Sequence, residues 1–355
     1  MIGILLGTRP EIIKMSPVIR ELQKRKLGFF IVHSNQHFSS NMDKKFFQDI
    51  KLPKPKYNLR LKSRSQGAMV GELISKAEKI FMKEKPSVLL VQGDTNTVLA
   101  GGIAAWKLGI KVAHVEAGLR SYDREMPEEI NRKITDHISD LLFCPTDLQK
   151  RILVKEDVDS KKIFVTGNTI VDAVYQNTKI LPDLSNRYIK GSILLTLHRP
   201  SNVDNKATLT GILSGVEKVA KILGKKIYFP IHPRTKINIE KFEIKLNKKF
   251  FYSLPPLGYF DMLFLEKHSN LIFTDSGGVQ EEACILKTPC ITIRENTERP
   301  ETIKVGSNIL AGTKSENIVR TAEKILKRKK DWLNPFGDGN SAKRIISILE
   351  KNKMT

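Results

Sequence analysis

The stretch LIFTDSGGVQEEACI, residues 271–285, is typical of a short apolar strand, a glycine-bearing turn and a helix in succession. The same alternation recurs along both halves of the chain, and strands that alternate with helices predict parallel sheets. We therefore predict an α/β protein built from two doubly wound, Rossmann-like domains. The expected strands are Ile2–Leu6, Phe29–His33, Ser87–Val91, Lys111–Val115, Leu141–Cys144, Ile163–Thr166, Ser192–Leu197, Ile227–Ile231, Leu271–Thr274 and Cys290–Ile293.

The length of 355 residues agrees with two domains, at roughly 150 residues each. We expect an N-terminal domain over residues 1–168 and a C-terminal domain over residues 169–339. A final helix, about residues 340–355, can pack back on the first domain. Polar residues follow the expected strands in both halves, and the carboxyl ends of parallel strands are where ligands bind in open α/β sheets. We expect the two crevices to face each other across a cleft.

Lysine and arginine outnumber aspartate and glutamate by 60 to 38, which gives a formal charge of +22. Most of the excess lies in lysine-rich stretches at residues 236–249 and 314–330, which we interpret as solvated helix faces rather than a nucleic-acid surface. The net positive field would still attract a small polyanion such as a nucleotide diphosphate. We expect no nucleic-acid partner.

The three cysteines, Cys144, Cys284 and Cys290, show no CxxC spacing, which argues against a disulfide framework and a structural zinc site. No HExxH pattern is present, and we expect neither a metal nor a cofactor. No run approaches the ~18 apolar residues of a membrane span, and the first residues lack a basic signal-peptide region. We expect a cytoplasmic protein with no membrane partner.

The turn after Thr274 is a candidate anion site. Gly277 and Gly278 let the backbone approach a ligand, Ser276 adds a hydroxyl, and the helix N-terminus favours negative charge. Glu282, further along the helix, could accept hydrogen bonds from ribose hydroxyls. A plain turn capped by Asp275 or Ser276 is the alternative. The stretch matches neither the dinucleotide fingerprint nor the P-loop.

A second strand-to-helix turn, GTRPE at residues 7–11, supplies Arg9 and, one helical turn later, Lys14. Both are cations that could meet phosphate, although Lys14 could equally be a surface lysine.

Three carboxylates form the candidate catalytic set. Asp94 and Glu116 each follow a strand and should converge at one sheet edge, while Pro127 places Glu128 at a helix start with Arg132 one turn on. Crowded, buried carboxylates can hold one protonated acid beside one ionised base near neutral pH. The alternatives are a helix cap for Asp94 and an ion pair with Arg132 for Glu128.

Two histidines lie near these groups. His114 should share a strand face with Glu116, although no metal-binding pattern accompanies it. His198 follows a strand of the second half, where a donor could stabilise the charge of a departing phosphate.

These motifs occur in one order along the chain: GTRPE (7–11), GDT (93–95), HVEAG (114–118), PEEINR (127–132), GNT (167–169), HR (198–199), DSGGVQEE (275–282) and TERP (297–300). Together, from Ile2 to about Gly306, they resemble the non-hydrolysing UDP-N-acetylglucosamine 2-epimerases, which have a GT-B fold. The resemblance implies interconversion of UDP-N-acetylglucosamine and UDP-N-acetylmannosamine. In that family UDP is eliminated to give 2-acetamidoglucal and is added back with inversion at C2, with no nicotinamide consumed.

The resemblance also implies roles for individual residues. Asp94, Glu116 and Glu128 would be the acid/base carboxylates, and His198 would lie beside the diphosphate and the sugar. The residues implied to hold UDP or substrate are Arg9, Lys14, Arg132, Leu257, Met262, Ser276, Gly277, Gly278, Glu282 and Arg299. We also expect a homodimer.

The chain departs from the family pattern in places. Ser201 stands where many relatives have an acidic residue, and Met262 stands where some bacterial relatives have an aromatic residue. Gln36, His37 and His232 fit a second UDP-sugar site, whereas residues 62–67 match that pattern poorly.

The sequence leaves other functions open. They are epimerisation of a related UDP-2-acetamido sugar such as a 2,3-diacetamido uronate, a hydrolysing epimerase that releases free N-acetylmannosamine, glycosyl transfer from a UDP-sugar on the same fold, and nucleic-acid binding.

Overall fold

A computed structural model describes residues 1–35, 46–63 and 65–355. The candidate second-site residues Gln36 and His37 lie outside the described residues. The chain forms two compact units, one of Met1–Asn177 with Phe336–Thr355 and one of Thr178–Pro335. Among the helices of the described residues, none combines the length and apolar character needed to cross a membrane.

The first unit contains a seven-stranded sheet in the order β3-β2-β1-β4-β5-β6-β7, and every pairing is parallel. Its central strands are buried along their whole length, as expected of a parallel sheet covered on both faces by helices. The strands are β1 Ile2–Leu6, β2 Phe29–His33, β3 Tyr57–Asn58, β4 Val88–Gln92, β5 Lys111–Val115, β6 Leu141–Cys144 and β7 Ile163–Val165.

The helices of this unit connect successive strands. They are α1 Arg9–Lys24, α2 Gln66–Glu84, α3 Asn96–Lys107, α4 Pro127–Ile138, α5 Asp147–Lys155 and α6 Thr169–Lys179, with a 3₁₀ turn at Ser160–Lys162. The C-terminal helix, Ser341–Lys351, also belongs to this unit and packs on α1. Asp172 of α6 caps that helix by accepting the backbone N–H groups of Ser341 and Ala342, at 3.2 and 3.0 Å.

The second unit repeats the plan with six parallel strands in the order β10-β9-β8-β11-β12-β13. Its strands are β8 Ile193–Thr196, β9 Ile227–Pro230, β10 Phe251–Leu254, β11 Leu271–Thr274, β12 Cys290–Thr292 and β13 Asn308–Leu310. Its helices are α7 Pro200–Val203, α8 Lys206–Leu223, α9 Pro233–Lys241, α10 Tyr259–His268, α11 Gly277–Ile285, α12 Pro300–Lys304 and α13 Ser315–Leu326; the C-terminal helix of the first unit is therefore α14. The prediction of parallel α/β sheets is confirmed.

Three strands were missed from the sequence, and all three are edge strands: β3 in the first sheet, and β10 and β13 in the second. An edge strand has one neighbour and is commonly short and less apolar, so its sequence carries a weak signal. The burial of β10 shows this, since its middle residues Tyr252 and Ser253 are exposed.

The expectation of a helix face throughout residues 236–249 was wrong. Helix α9 ends at Lys241, and Glu243 has a left-handed backbone with φ of 55°. Beyond it, Ile244 and Leu246 pack against the core of the second unit. The lysines of this stretch therefore alternate with residues that anchor an irregular segment.

Each sheet reverses its strand order at one point, between β1 and β4 in the first unit and between β8 and β11 in the second. The helices on either side of such a point leave a crevice at the carboxyl ends of the strands. Arg9 and Asp94 follow β1 and β4, while His198 and Ser276 follow β8 and β11. The topology thus brings the predicted residues to the crevice within each unit.

Candidate functional site

The β1–α1 turn of the first unit is tied together by Glu11. Its buried carboxylate accepts the backbone N–H of Gly7, at 2.5 Å, and that of Thr8, at 3.3 Å. The hydroxyl of Thr95 donates to its other oxygen at 2.6 Å, which joins this turn to the one after β4. Burial raises the pKa of Glu11 to about 7, against the smaller effect of these hydrogen bonds.

Glu116 lies directly after β5, and its carboxylate is almost wholly buried, with 3% of the side chain exposed. The ammonium of Lys14 donates to both of its oxygens, at 2.7 and 2.6 Å, and the Gln92 side chain donates to Oε2. Lys14 is therefore the cation that binds a candidate catalytic carboxylate. The sequence suggested a phosphate ligand for Lys14 and did not reveal its contact with Glu116.

The shared strand face predicted for His114 and Glu116 does not extend to their side chains. Glu116 has a positive φ of 69°, which turns it out of the strand. His114 instead bonds through Nδ1 to Asp136 and through Nε2 to the carbonyl of Gly93, both at 2.7 Å. Within the described residues, no group of three or more His, Cys, Asp or Glu side chains could hold a metal ion.

Asp94, after β4, keeps 32% of its side chain exposed and pairs with the guanidinium of Arg132. It is not the helix cap, because Thr95 occupies that position at the start of α3. The Asp94 carboxylate is therefore partly exposed to solvent and is paired with the guanidinium of Arg132.

Glu129 fixes the position of Arg132. Its buried carboxylate accepts Nη1 of Arg132 at 2.6 Å, together with the N–H and hydroxyl of Ser121, each at 2.8 Å. Burial alone would raise the pKa of Glu129, but these donors and the Arg132 charge outweigh it and hold the pKa below its usual value.

Glu128, in the first turn of α4, is half-buried and has no hydrogen bond or ion pair with any described residue. The alternative in which it pairs with Arg132 is wrong, because Arg132 is held by Glu129 and Asp94. Arg9, at the start of α1, is also half-buried and lies over the Phe46 ring at 5.9 Å.

In the second unit, Asp275 orients His198. Its fully buried carboxylate accepts Nδ1 of His198 at 2.8 Å, and its Oδ2 accepts the backbone N–H groups of His198 and Arg199, each at 2.9 Å. Burial would raise the pKa of Asp275, but these donors lower it below its usual value. Asp275 is therefore a support for His198 rather than a helix cap.

The turn that opens α11 begins at Ser276, which is the N-cap residue and makes no side-chain cap hydrogen bond. A Cβ on Gly277 would lie 2.8 Å from a Glu298 carboxylate oxygen, at the far end of that side chain, so Glu298 would have to shift to admit it. A Cβ on Gly278 would meet nothing nearer than Ser276 Oγ at 3.9 Å, so the space beside Gly278 is open. The predicted approach to the backbone is thus available at Gly278.

The remaining candidates of this unit have structural partners. Arg299 is mostly buried and pairs with Glu281 at 2.8 Å. Leu257 and Met262 are half-buried and pack against the cluster that contains Phe264 and Ala283. Glu282 is half-buried in α11 and hydrogen-bonds to Glu266.

His232, a candidate for the second site, caps helix α9 by accepting the backbone N–H of Arg234 at 3.3 Å. Its ring centre lies 5.8 Å from that of His198. Burial, with the charge of His198 adding to it, lowers the pKa of His232. It therefore lies beside the His198–Asp275 pair.

Sequence reasoning gave no role to Glu11, Gln92, Glu129 or Glu266. Gln92 carried a usable signal, since it is a polar residue at the end of a buried strand. Glu11 and Glu129 lie inside the motifs, but a motif does not reveal that their carboxylates are buried or that Thr95 is a partner of Glu11.

Comparisons with known proteins identify the family of this chain. A family model described as UDP-N-acetylglucosamine 2-epimerase matches residues 20–350. The UDP-N-acetylglucosamine 2-epimerase of Methanocaldococcus jannaschii is 54% identical, over 99% of this chain and 99% of the relative. The chain belongs to the UDP-N-acetylglucosamine 2-epimerase family.

A crystal structure of the M. jannaschii UDP-GlcNAc 2-epimerase in complex with UDP-GlcNAc and UDP superposes with a TM-score of 0.90, at 53% identity and 99% coverage of both chains. The UDP-2,3-diacetamido-2,3-dideoxy-D-glucuronate 2-epimerase of Pseudomonas aeruginosa is 39% identical over 98% of each chain. The family assignment and the fold class predicted from the sequence are confirmed.

Proposed function

We propose that this protein interconverts UDP-N-acetylglucosamine and UDP-N-acetylmannosamine. The observation that carries the proposal is the pair of carboxylates after neighbouring strands β4 and β5, Asp94 and Glu116, each bound by a cation at the crevice of the first unit. Membership of the epimerase family and the identity to the M. jannaschii enzyme support the same substrate.

The reaction proceeds by elimination and addition. One carboxylate removes the C2 proton as the C1–oxygen bond breaks, the bonding pair leaves with UDP, and 2-acetamidoglucal forms. A proton is then delivered to the opposite face of C2 while a UDP oxygen adds to C1. Proton transfer on the two faces of C2 needs two acid/base groups. We propose that these come from the set Asp94, Glu116 and Glu128.

The proposed contacts to UDP come from both units. Ser276, Gly277 and Gly278 present a helix N-terminus to the diphosphate, and His198, oriented by Asp275, donates to the departing phosphate. The other proposed contacts are Arg9, Arg132, Leu257, Met262, Glu282 and Arg299, while Lys14 acts through Glu116.

Deuterium exchange tests the roles of the three carboxylates. The wild-type protein, incubated with UDP-N-acetylglucosamine in heavy water, should yield the manno epimer and substrate deuterated at C2. If the substituted carboxylate is the one that protonates C2 on the manno face, C2 exchange should continue without epimerisation, because the glucal is then protonated again on the original face. Loss of the group serving the gluco face should abolish both.

The variants are Asp94→Asn, Glu116→Gln and Glu128→Gln, with Glu125→Gln, an exposed carboxylate just before α4, as the matched control. We expect rate losses of about 10²–10⁴-fold in the first three, as is usual for general acid/base groups. A protein that is folded and binds UDP, but gives neither C2 deuterium nor the manno epimer, would refute the proposal.

A related UDP-2-acetamido sugar is the second candidate substrate, because an epimerase of such a sugar from P. aeruginosa is 39% identical, but the 54% identity to the M. jannaschii enzyme does not favour it. The kcat/KM values for the two UDP-sugars separate the candidates. We expect UDP-N-acetylglucosamine to be preferred, since the more similar relative carries that name.

We further propose a cytoplasmic homodimer. Trp106 on α3 and Ile130 and Ile134 on α4 are exposed apolar side chains on helices that pack together, and such a patch suits a subunit interface. The three cysteines are free buried thiols, as in a reducing compartment. Light scattering of Ile134→Glu against the wild type tests the dimer, which should dissociate in the variant.

A further inference from the structure

A second carboxyl group lies behind the proposed nucleotide contact Glu282. Glu266, in α10, is only 1% exposed and hydrogen-bonds to Glu282 of the adjacent helix α11. Its Oε2 has no hydrogen-bond partner among the described residues. A buried carboxyl group in this position is not needed for packing, since an apolar side chain would fill the same volume at lower cost.

Two carboxyl groups in hydrogen-bond contact share a proton, because both cannot carry charge at that separation. Burial raises the pKa of Glu266 well above its usual value, and the neighbouring Glu282 charge raises it further. Glu282 is half-buried, so the charge is better solvated there. The proton therefore resides on Glu266.

The Cys290 thiol is another titratable group near Glu266. Burial, with Cys284 and Glu266 adding to it, raises the pKa of Cys290, which keeps that thiol neutral. The backbone carbonyl of Glu266 accepts the Thr288 hydroxyl at 2.8 Å, which fixes this end of α10 against the loop that leads to β12. Glu266 is therefore a neutral acid on a fixed backbone, with Glu282 as its charged neighbour.

We propose that Glu266 is a nucleotide-positioning residue: as a neutral carboxylic acid it donates its proton to a hydrogen bond with Glu282 and aims that carboxylate at the ribose. The inference rests on the proposed function, in which Glu282 contacts UDP. An ionised carboxylate accepts several hydrogen bonds, so one from Glu266 is compatible with others from ribose hydroxyls. The Glu266–Glu282 pair would make the site selective for ribose over 2′-deoxyribose.

Selectivity between UDP and 2′-deoxy-UDP is the sensitive measurement, because a site built to accept a hydroxyl rejects the analogue that lacks it. Calorimetric titration gives the ratio of the two dissociation constants for each variant. Glu282→Gln tests the ribose contact itself. Glu266→Gln keeps a donor toward Glu282, whereas Glu266→Met keeps the volume and removes the donor.

We expect the wild type to favour UDP by about tenfold or more, the effect of one hydrogen bond to a charged group. Glu266→Gln should retain that ratio to within about twofold, while Glu266→Met should lower it about fivefold or more without a lower Tm, since a buried carboxyl group is removed. A purely structural role would instead lower the Tm and leave the ratio unchanged.

Failure of the proposed ribose contact and failure of the role of Glu266 give different results. If Glu282→Gln keeps the wild-type ratio, the ribose contact in the proposed function is wrong, and the role of Glu266 falls with it. If Glu282→Gln loses the ratio while Glu266→Met keeps it, only the role of Glu266 is overturned. Should Glu266→Met fail to fold, infrared spectra decide: the wild type must show a protonated carboxyl C=O band that Glu266→Gln lacks, and a spectrum without this band overturns the inference.

Discussion

Glu11→Gln should change how the stability of the first unit depends on pH. The Glu11 carboxyl group is buried at the β1–α1 turn, and burial raises its pKa from 4.5 to about 7. Glutamine has the same shape as the protonated acid. It can accept the backbone N–H groups of Gly7 and Thr8, while its amide donates to Thr95.

The direction of the Glu11 pKa shift determines how stability changes with pH. The folded-state pKa lies above the unfolded value, so folding favours the neutral acid. The stability that this confers is fully present below pH 4.5 and is lost as the pH rises through about 7. The interval between 4.5 and about 7 corresponds to roughly 3 kcal/mol, at about 1.4 kcal/mol per pKa unit.

Urea unfolding at pH 5 and pH 8 measures this effect. The chain has two tryptophans, so a Trp332→Phe background leaves Trp106, in the first unit, as the reporter. Relative to Glu11→Gln, the wild type should lose about 2–3 kcal/mol of unfolding free energy between the two pH values. Glu125→Gln, at an exposed position, is the control and should show no such trend. An unchanged difference between wild type and Glu11→Gln at pH 5 and pH 8 would refute the reasoning.

Two further predictions concern the proposed site. Lys14→Met leaves the buried Glu116 carboxylate without its ammonium partner, and we expect kcat to fall at least about 100-fold while the Kd for UDP changes by less than about threefold. Steady-state kinetics with UDP titration checks this, and a loss confined to UDP binding would restore the phosphate role of Lys14. Gly278→Val places a side chain in the open space beside the turn and should weaken UDP about tenfold or more, whereas Gly71→Val in α2, also in open space, should not. Equal UDP affinity in both variants would show that the turn is not the phosphate site.

The alternation of apolar strands and helices was enough to predict the fold class, because buried parallel strands need continuous apolar runs. The missed strands β3, β10 and β13 are all edge strands, which need no such run because they have one neighbour, although the edge strand β7 was predicted. The motifs also identified the family, since their order along the chain is specific even where each fragment is short.

The partners of the charged residues were decided by the tertiary structure. Lys14 and Glu116 are 102 positions apart, and Asp94 and Arg132 are 38 apart. Their pairing depends on the order of strands in the sheet and on the left-handed backbone at Glu116. The burial of the acidic residues was also decided by the tertiary structure. In the sequence Glu11, Asp275 and Glu266 are ordinary acids, and only the folded environment shifts their pKa values. The sequence therefore determined which chemical groups are present, while the packing of distant elements determined which of them carry charge and which partner each one meets.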